Sequence, residues 1–297
     1  MSDAVRTRQI EANGLTFTVD ELGEGDKVAL FLHGFPECRH SWRAQLPALA
    51  AQGWRAVAPD LRGYGQSSRP GARSAYHIDH LVADAAGLFD ALGARRRLLI
   101  AHDWGAVIAW AFALERVRPL DGLVIMNAPH PAAYLRRLRR SPAQWAKSWY
   151  ILFFQLPWLP EALLGADRAR AIGESFVRAA VDPSCFTPQM ISHYRDNAAL
   201  PGALTAMINY YRANVSSLNR WEHGRSSVIE VPTLIEWGER DPFLGMELLD
   251  EHLGLVRDLT IRRFPNVSHW VQQEAAEEVN AALVAWMAAK GLTALAT

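Results

Sequence analysis

The chain is poor in cysteine and has no excess of charge of either sign. Cys38 and Cys185 are its 2 cysteines in 297 residues, far apart and without metal-ligand spacing. That excludes a disulfide scaffold or a cysteine-rich metal site and leaves two ordinary reduced thiols. Lys plus Arg and Asp plus Glu each total 31, so no charge imbalance points to nucleic acid, a polyanion or an electrostatically held membrane. Small or neutral ligands fit better. There is no internal repeat, no low-complexity segment and no transmembrane segment, because no apolar run is long enough to span a bilayer. Residues Met1 to Arg6 lack the apolar core of a signal peptide, from which a cytoplasmic location is expected. Half the residues are apolar, enough to bury a large core in one large or two small domains.

The apolar residues alternate between strand and helix patterns. Leu15-Thr16-Phe17-Thr18-Val19, followed by the turn-rich Gly23 to Asp26, is expected to form an edge hairpin. Val28 to Leu32 is a continuous apolar run, as in a strand buried on both faces, and it runs into the abrupt turn His33-Gly34-Phe35-Pro36-Glu37. In open α/β sheets such strand ends are where ligands bind. Arg55 to Pro59 is a further strand, leading into Asp60 to Ser68. That stretch lacks the third glycine of a dinucleotide-binding turn and is expected to be a surface loop. Ile78 to Leu92 has helical periodicity and is stopped by Gly93. Strands are expected again at Leu98 to Ala101, Gly122 to Met126, Val231 to Gly238 and Leu259 to Phe264, with a closing helix carrying Val279, Leu283, Val284 and Trp286. The alternation predicts an α/β fold with a mostly parallel sheet.

Between about Pro131 and Ser227 the alternation stops, and proline-punctuated helical stretches rich in Trp and Tyr take over. An all-helical cap, residues 131–227, is therefore expected to be inserted after the sixth strand into a core made of 1–130 and 228–297. Within it Trp149 to Trp158, the most apolar stretch of the chain, is assigned to cap core or to a pocket wall. Arg136, Arg137, Arg139 and Arg140 fit a solvated helix face. Thr293 to Thr297 is expected to be a loose tail.

One stretch carries chemistry. In Leu98-Leu99-Ile100-Ala101-His102-Asp103-Trp104-Gly105-Ala106-Val107-Ile108 a strand ends, one polar side chain stands alone between small residues, and a helix opens at about Trp104. This is the layout of a nucleophile elbow with aspartate in place of serine. An aspartate before a helix often serves only as its cap. A carboxylate, however, is ionised at neutral pH and attacks carbon without a base. Its attack on an ester gives a labile anhydride, but attack on an sp3 carbon bearing a leaving oxygen or halide gives a stable alkyl ester. Epoxides and alkyl halides are the fitting substrates. Asp241 and His269 stand past two later strand ends, so the order Asp103, Asp241, His269 matches the nucleophile, acid, histidine order of α/β-hydrolase triads.

These motifs resemble those of the epoxide hydrolases of the α/β-hydrolase superfamily. His33-Gly34-Phe35-Pro36 is similar to their H-G-x-P turn, Ala101-His102-Asp103-Trp104-Gly105-Ala106 to their elbow, and Gly238-Glu239-Arg240-Asp241 to the turn carrying their acid. Ser268-His269-Trp270 departs from their usual Gly-His-Trp. The resemblance implies two cap tyrosines that donate to the epoxide oxygen. Tyr150, in Tyr150-Ile151-Leu152-Phe153-Phe154-Gln155, matches the first; Tyr211, before Arg212, matches the second, with Tyr210 and Tyr194 as alternatives. It also implies a hydroxyalkyl ester on Asp103, hydrolysed by water that His269 and Asp241 activate. Backbone N–H groups of Phe35 and Trp104 would form the oxyanion hole, and neither metal nor other cofactor would be needed. Phe35, Trp104, Tyr150 and Tyr211 would bind substrate, expected to be a small apolar epoxide, with water as the second reactant. The hydrolytic half is expected to slow below pH ~6.5, the ordinary histidine value.

Haloalkane dehalogenases resemble the chain in fold, nucleophile and histidine, and use a Trp after the nucleophile as a halide ligand. Some place Asn where Phe35 stands. Fluoroacetate dehalogenases carry Arg in place of Trp104, which suits a carboxylate substrate that an indole does not. A non-catalytic ligand-binding protein of the same fold is the remaining reading. The sequence does not select between a monomer and a homodimer.

Overall fold

The computed structural model describes residues 4–215, 228–252 and 254–293. Eight strands form one sheet in the order β1-β2-β4-β3-β5-β6-β7-β8. The first hairpin, β1 (Arg6–Ala12) and β2 (Leu15–Leu22), is antiparallel, and β2 lies antiparallel on β4 (Arg55–Pro59). From β4 through β3 (Lys27–Leu32), β5 (Arg96–His102), β6 (Gly122–Met126), β7 (Thr233–Gly238) and β8 (Leu259–Phe264) every pairing is parallel. The edge hairpin turns at Asn13-Gly14, not at Gly23 to Asp26 as the sequence suggested. Its first strand carries no clear alternation in the sequence, because five of its seven residues face solvent.

The central strands are near-continuous apolar runs because both of their faces are covered. Leu30, Leu99, Leu123 and Ile235 pack on one side against α2 (Ile78–Ala91) and α3 (Asp103–Leu114). Phe31, Ile100, Val124 and Leu234 pack on the other against α1 (Gln45–Ala50) and, near the end of the chain, the long α12 (Ala276–Ala289).

After β6 the chain is helical through α4 (Pro131–Arg140), α5 (Pro142–Lys147), α6 (Trp149–Phe153), α7 (Leu159–Ala179), α8 (Pro188–Ala198) and α9 (Ala203–Asn214). The α7 path is broken at Ala166 to Ala169, where the backbone leaves helical dihedrals. Its Phe176, together with Tyr194 and Tyr210 of the helices that follow, joins the same core as α2 and α3, so this helical segment sits on the carboxyl edge of the sheet. The short helices α10 (Glu247–Asp250) and α11 (Val271–Glu274) follow β7 and β8. The expected end of the insertion, at 227, and most of the expected tail at 293–297 lie outside the described residues. Among the described residues, no helix is long and apolar enough to cross a membrane.

Two further expectations are corrected. The Asp60 to Ser68 stretch is not a surface loop: Asp60, Arg62, Tyr64 and Ser67 are all buried. Its polarity misled because nearly every group is paired within the protein. Arg39 donates to Asp60, Arg62 donates twice to Asp84 at 2.7 and 2.6 Å, and Ser67 Oγ donates to the Asp60 carbonyl at 2.6 Å. The apolar stretch Trp149 to Trp158 is only half core and pocket wall. Phe154 is buried and Tyr150 and Ile151 face a pocket, but Trp149, Leu152 and Trp158 are 63%, 58% and 72% exposed.

Candidate active site

Asp103 is the first residue of α3, one residue earlier than expected, and adopts a φ of +48°. A left-handed backbone at a non-glycine residue marks local strain held in place by its surroundings. Crowding supplies the hold: a Cβ on Gly105 would lie 2.1 Å from the Leu32 carbonyl oxygen, so only glycine lets α3 leave β5 at this angle. Asp103 is not the helix cap; His102 holds that position, and the Asp103 carboxylate instead accepts the Phe35 N–H at 2.7 Å through Oδ1. Trp104 follows, and its N–H is among the first-turn donors that a helix leaves unsatisfied.

His269 stands opposite. Its Nε2 is 3.7 Å from Asp103 Oδ2, and its Nδ1 is 2.7 Å from Asp241 Oδ2. Asp241 is itself fully engaged. Oδ1 accepts the Phe243 and Leu244 N–H groups at 2.7 and 2.9 Å, and Oδ2 also accepts from Asn127 Nδ2 at 2.8 Å. Three strand ends, those of β5, β7 and β8, thus bring the nucleophile candidate, acid and histidine together.

Burial opposes the charge of each group, and their mutual attraction restores it. Burial raises the Asp103 carboxyl, but His269, His102 and the Phe35 N–H outweigh it and hold the group below the ordinary aspartate value. Asp241 follows the same pattern, with burial opposed by His269, Asn127 and the Leu244 N–H. Burial lowers His269, yet the flanking carboxylates of Asp241 and Asp103 carry it up to about 10. The free site is therefore a cationic imidazole between two carboxylates, and the sequence-based expectation of an ordinary histidine near 6.5 does not describe it.

A pocket of about 740 Å³, including its open mouth, lies over Asp103. Trp104, Val107, Tyr134, Tyr150, Tyr211 and Leu244 are among its lining residues. The phenol hydroxyls decide which tyrosines are free to act. Tyr210 donates to the Arg62 carbonyl at 2.8 Å, and Tyr194 to Gln273 Oε1 at 2.6 Å; neither lines the pocket. Tyr150 and Tyr211, with ring centroids 5.9 Å apart, do line it; Trp104 is a hydrogen-bond partner of Tyr211, and since an indole N–H can only donate, the Tyr211 proton stays available. Burial, with the charge of Asp103 among its neighbours, holds both phenols well above 10, so both are proton donors at neutral pH. The Phe35 side chain packs edge-on against Phe154 and Tyr211 and offers no polar group. Among the described residues, no three His, Cys, Asp or Glu side chains come together to hold a metal ion.

The match to a family model described as the alpha/beta hydrolase fold spans residues 28–276. The AB hydrolase superfamily protein YfhM of Bacillus subtilis is 35% identical over 96% of this chain and 99% of its own. Human epoxide hydrolase 4 is 36% identical over 92% of this chain and 75% of its own. The chain belongs to the epoxide hydrolase family of α/β-hydrolases. The crystal structure of Bacillus megaterium epoxide hydrolase with an inhibitor superposes with a TM-score of 0.88 at 30% identity, covering 95% of this chain and all of that one.

Within this epoxide hydrolase fold, Glu37 and His102, quoted in the motifs but given no role, and Asn127, just past the end of β6, support the site. Glu37, buried beneath the turn, accepts from Gly34 N–H at 2.8 Å, from Gln272 and Gln273 at 2.9 and 2.8 Å, and meets His102 Nδ1 at 2.7 Å. His102 Nε2 reaches the His269 carbonyl at 2.9 Å. Asn127 bridges Asp241 and Gly238 across the ends of β6 and β7. A fully buried carboxylate beside three loop ends is the signal that marks Glu37, and it is visible only once the loops are assembled.

Proposed function

We propose that this hydrolase opens a small apolar epoxide to a vicinal diol through a covalent ester on Asp103. The observation that carries the proposal is the pair of phenols, Tyr150 and Tyr211, with their protons free to donate, on the wall of a pocket that opens over an ionised carboxylate. An epoxide oxygen leaves as an alkoxide and needs an acid; a halide leaves as a stable anion and needs only N–H donors. Two phenols and an apolar Phe35 suit the first leaving group better than the second.

Asp103 attacks an epoxide carbon, the C–O bond breaks, and a tyrosine proton passes to the departing oxygen. His269 then takes a proton from water, which adds to the ester carbonyl carbon, with the Phe35 and Trp104 N–H groups as the donors to the oxyanion. Collapse releases the diol, whose second hydroxyl takes the histidine's proton. The regenerated Asp103 loses its own proton to the phenolate. Alkylation also resets the base: once Asp103 is an ester, one of the two charges that held the proton on His269 is gone, so the imidazole gives that proton up to solvent before it acts on water and takes one back when the Asp103 carboxylate is regenerated. Residues 131–227 act in this reading as the cap that carries the acid tyrosines, on a core of 1–130 and 228–297. No step requires a cofactor.

The test is His269→Gln incubated with an aryl epoxide and a bromoalkane of distinct masses, followed by the intact-protein mass. A gain equal to the epoxide, absent when Asp103→Asn is added, is the expected result. A gain of an alkyl group without bromine makes the protein a dehalogenase. The absence of any adduct across several such mixtures favours a ligand-binding protein.

A further inference from the structure

The residue at which the chain departs from the family motif, Ser268, has a specific place in the structure. It is fully buried, and its hydroxyl donates a short hydrogen bond to Glu274 Oε1 in α11. Glu274 Oε2 faces the Ser268 N–H at 3.4 Å and accepts the Val181 N–H at 3.0 Å. Val181 lies in the helical segment, just past the end of α7. One carboxylate therefore grips the loop that carries His269 and a corner of the segment that carries Tyr150 and Tyr211. On the other side of that loop the Ser268 carbonyl presses so closely on Gly238 that a Cβ there would lie 2.0 Å from it. The loop is clamped between the acid's turn and Glu274.

The neighbouring side chains of α11 extend the same connection. Gln272 and Gln273 donate to Glu37 beneath the H-G-x-P turn, and Gln273 Oε1 accepts from Tyr194 of α8. Glycine in place of Ser268 would leave Glu274 with backbone donors only and the histidine loop without its side-chain tether.

We propose that Ser268 and Glu274 are positioning residues that hold His269 in register for the hydrolytic step and couple it to the helical segment. The proposal rests on the Asp103-ester reading. Neither residue lines the pocket, so neither touches substrate. Their effect falls on the step that needs His269 as a base, because a displaced imidazole loses its line to water while Asp103 still attacks unaided.

The experiment compares Ser268→Ala, Ser268→Gly, Ser268→Thr and Glu274→Ala with the unaltered protein in single turnovers with an aryl epoxide, quenched in acid and read by intact mass. Expected is a hydrolysis rate roughly 10-fold lower in Ser268→Ala and Ser268→Gly. Alkylation is unchanged, so the ester becomes the dominant species, and Ser268→Thr, which keeps the hydroxyl, restores hydrolysis. Glu274→Ala is expected to show the same split, because it removes the acceptor that both the Ser268 hydroxyl and the Val181 N–H use. Hydrolysis at the unaltered rate in folded Ser268→Ala and Glu274→Ala overturns the proposal, as does an equal fall in both steps that tracks a lowered melting temperature. Failure of His269→Gln to form any ester counts instead against the reading beneath it.

Discussion

Replacing Asp241 by asparagine is the sharpest test of how the histidine is held, because the hydrogen bonds around the carboxylate dictate how the amide must sit. Oδ1 accepts two backbone N–H groups, from Phe243 and Leu244, so the asparagine oxygen has to take that position. Its NH2 then occupies the Oδ2 site, facing His269 Nδ1 at 2.7 Å and the Asn127 amide at 2.8 Å. Asn127 cannot turn to accommodate it without giving up the bond from the Gly238 N–H to its own Oδ1, a loss of about 1–3 kcal/mol for a buried group. With a donor against Nδ1, the imidazole keeps its proton on Nε2 and has no lone pair for water. The expected loss in ester hydrolysis is about four orders of magnitude, the size seen when a triad aspartate becomes asparagine in a serine protease. Alkylation should suffer far less, since Asp103 keeps its Phe35 N–H. Rapid quench with an epoxide in excess, read by intact mass, separates the two rates. Hydrolysis within about 10-fold of the unaltered protein would refute the tautomer argument.

Tyr150→Phe and Tyr211→Phe should each slow ester formation by about 10²–10³, the usual loss for one donor to a developing oxyanion. Tyr210→Phe should leave that rate alone and instead cost about 1–2 kcal/mol of stability, seen as a lower urea midpoint, because it removes a buried bond to the Arg62 carbonyl. A loss of alkylation in Tyr210→Phe would reverse the assignment. Gly105→Ala forces a methyl group to within 2.1 Å of the Leu32 oxygen and should destabilise by about 3 kcal/mol or more, measured by the same unfolding. For pH, ester formation should have no acid limb above pH ~4, because Asp103 titrates below its ordinary value. Hydrolysis should rise with pH as His269 is deprotonated. Its limb should lie below the value near 10 at which the free enzyme's His269 titrates, because the ester removes the charge of Asp103. Single turnovers across pH, beside an NMR titration of His269, test the order of the two values.

The parts of the site that follow from chain direction and strand ends could be read in the sequence. Asp103, Asp241 and His269 each stand just past an apolar run, and the topology carries such ends to one edge. Residues whose roles depend on which way a side chain turns could not. Tyr210 and Tyr211 are neighbours in α9, about 100° apart around its axis. Only their surroundings show that one hydroxyl donates its proton to the Arg62 carbonyl while the other faces the pocket beside the Trp104 indole. Glu37 and His102 are 65 positions apart in sequence, and their pairing appears only when β3 and β5 lie side by side. The Asp60 to Ser68 stretch differs from its sequence-based expectation for the converse reason. Its polarity suits a surface loop, but its polar groups find their partners within the protein.

The same burial serves two opposite needs. Around Tyr150 and Tyr211 it disfavours the phenolate, which in the proposed mechanism keeps both protonated until an alkoxide develops beside them. Around His269 it disfavours the imidazolium, which only the carboxylates at 2.7 and 3.7 Å overcome. Asp241 is locked by two backbone N–H groups and Asn127 and keeps its charge throughout. In the proposed mechanism Asp103 loses its charge as soon as it becomes an ester. The two carboxylates would then divide the work: Asp241 sets the orientation of the imidazole, and Asp103 sets its protonation state. In that reading His269 holds its proton less tightly once the bond it must help to break has formed, so the free imidazole that the hydrolytic step needs becomes available only after alkylation, and the order of steps follows from the charge of the nucleophile.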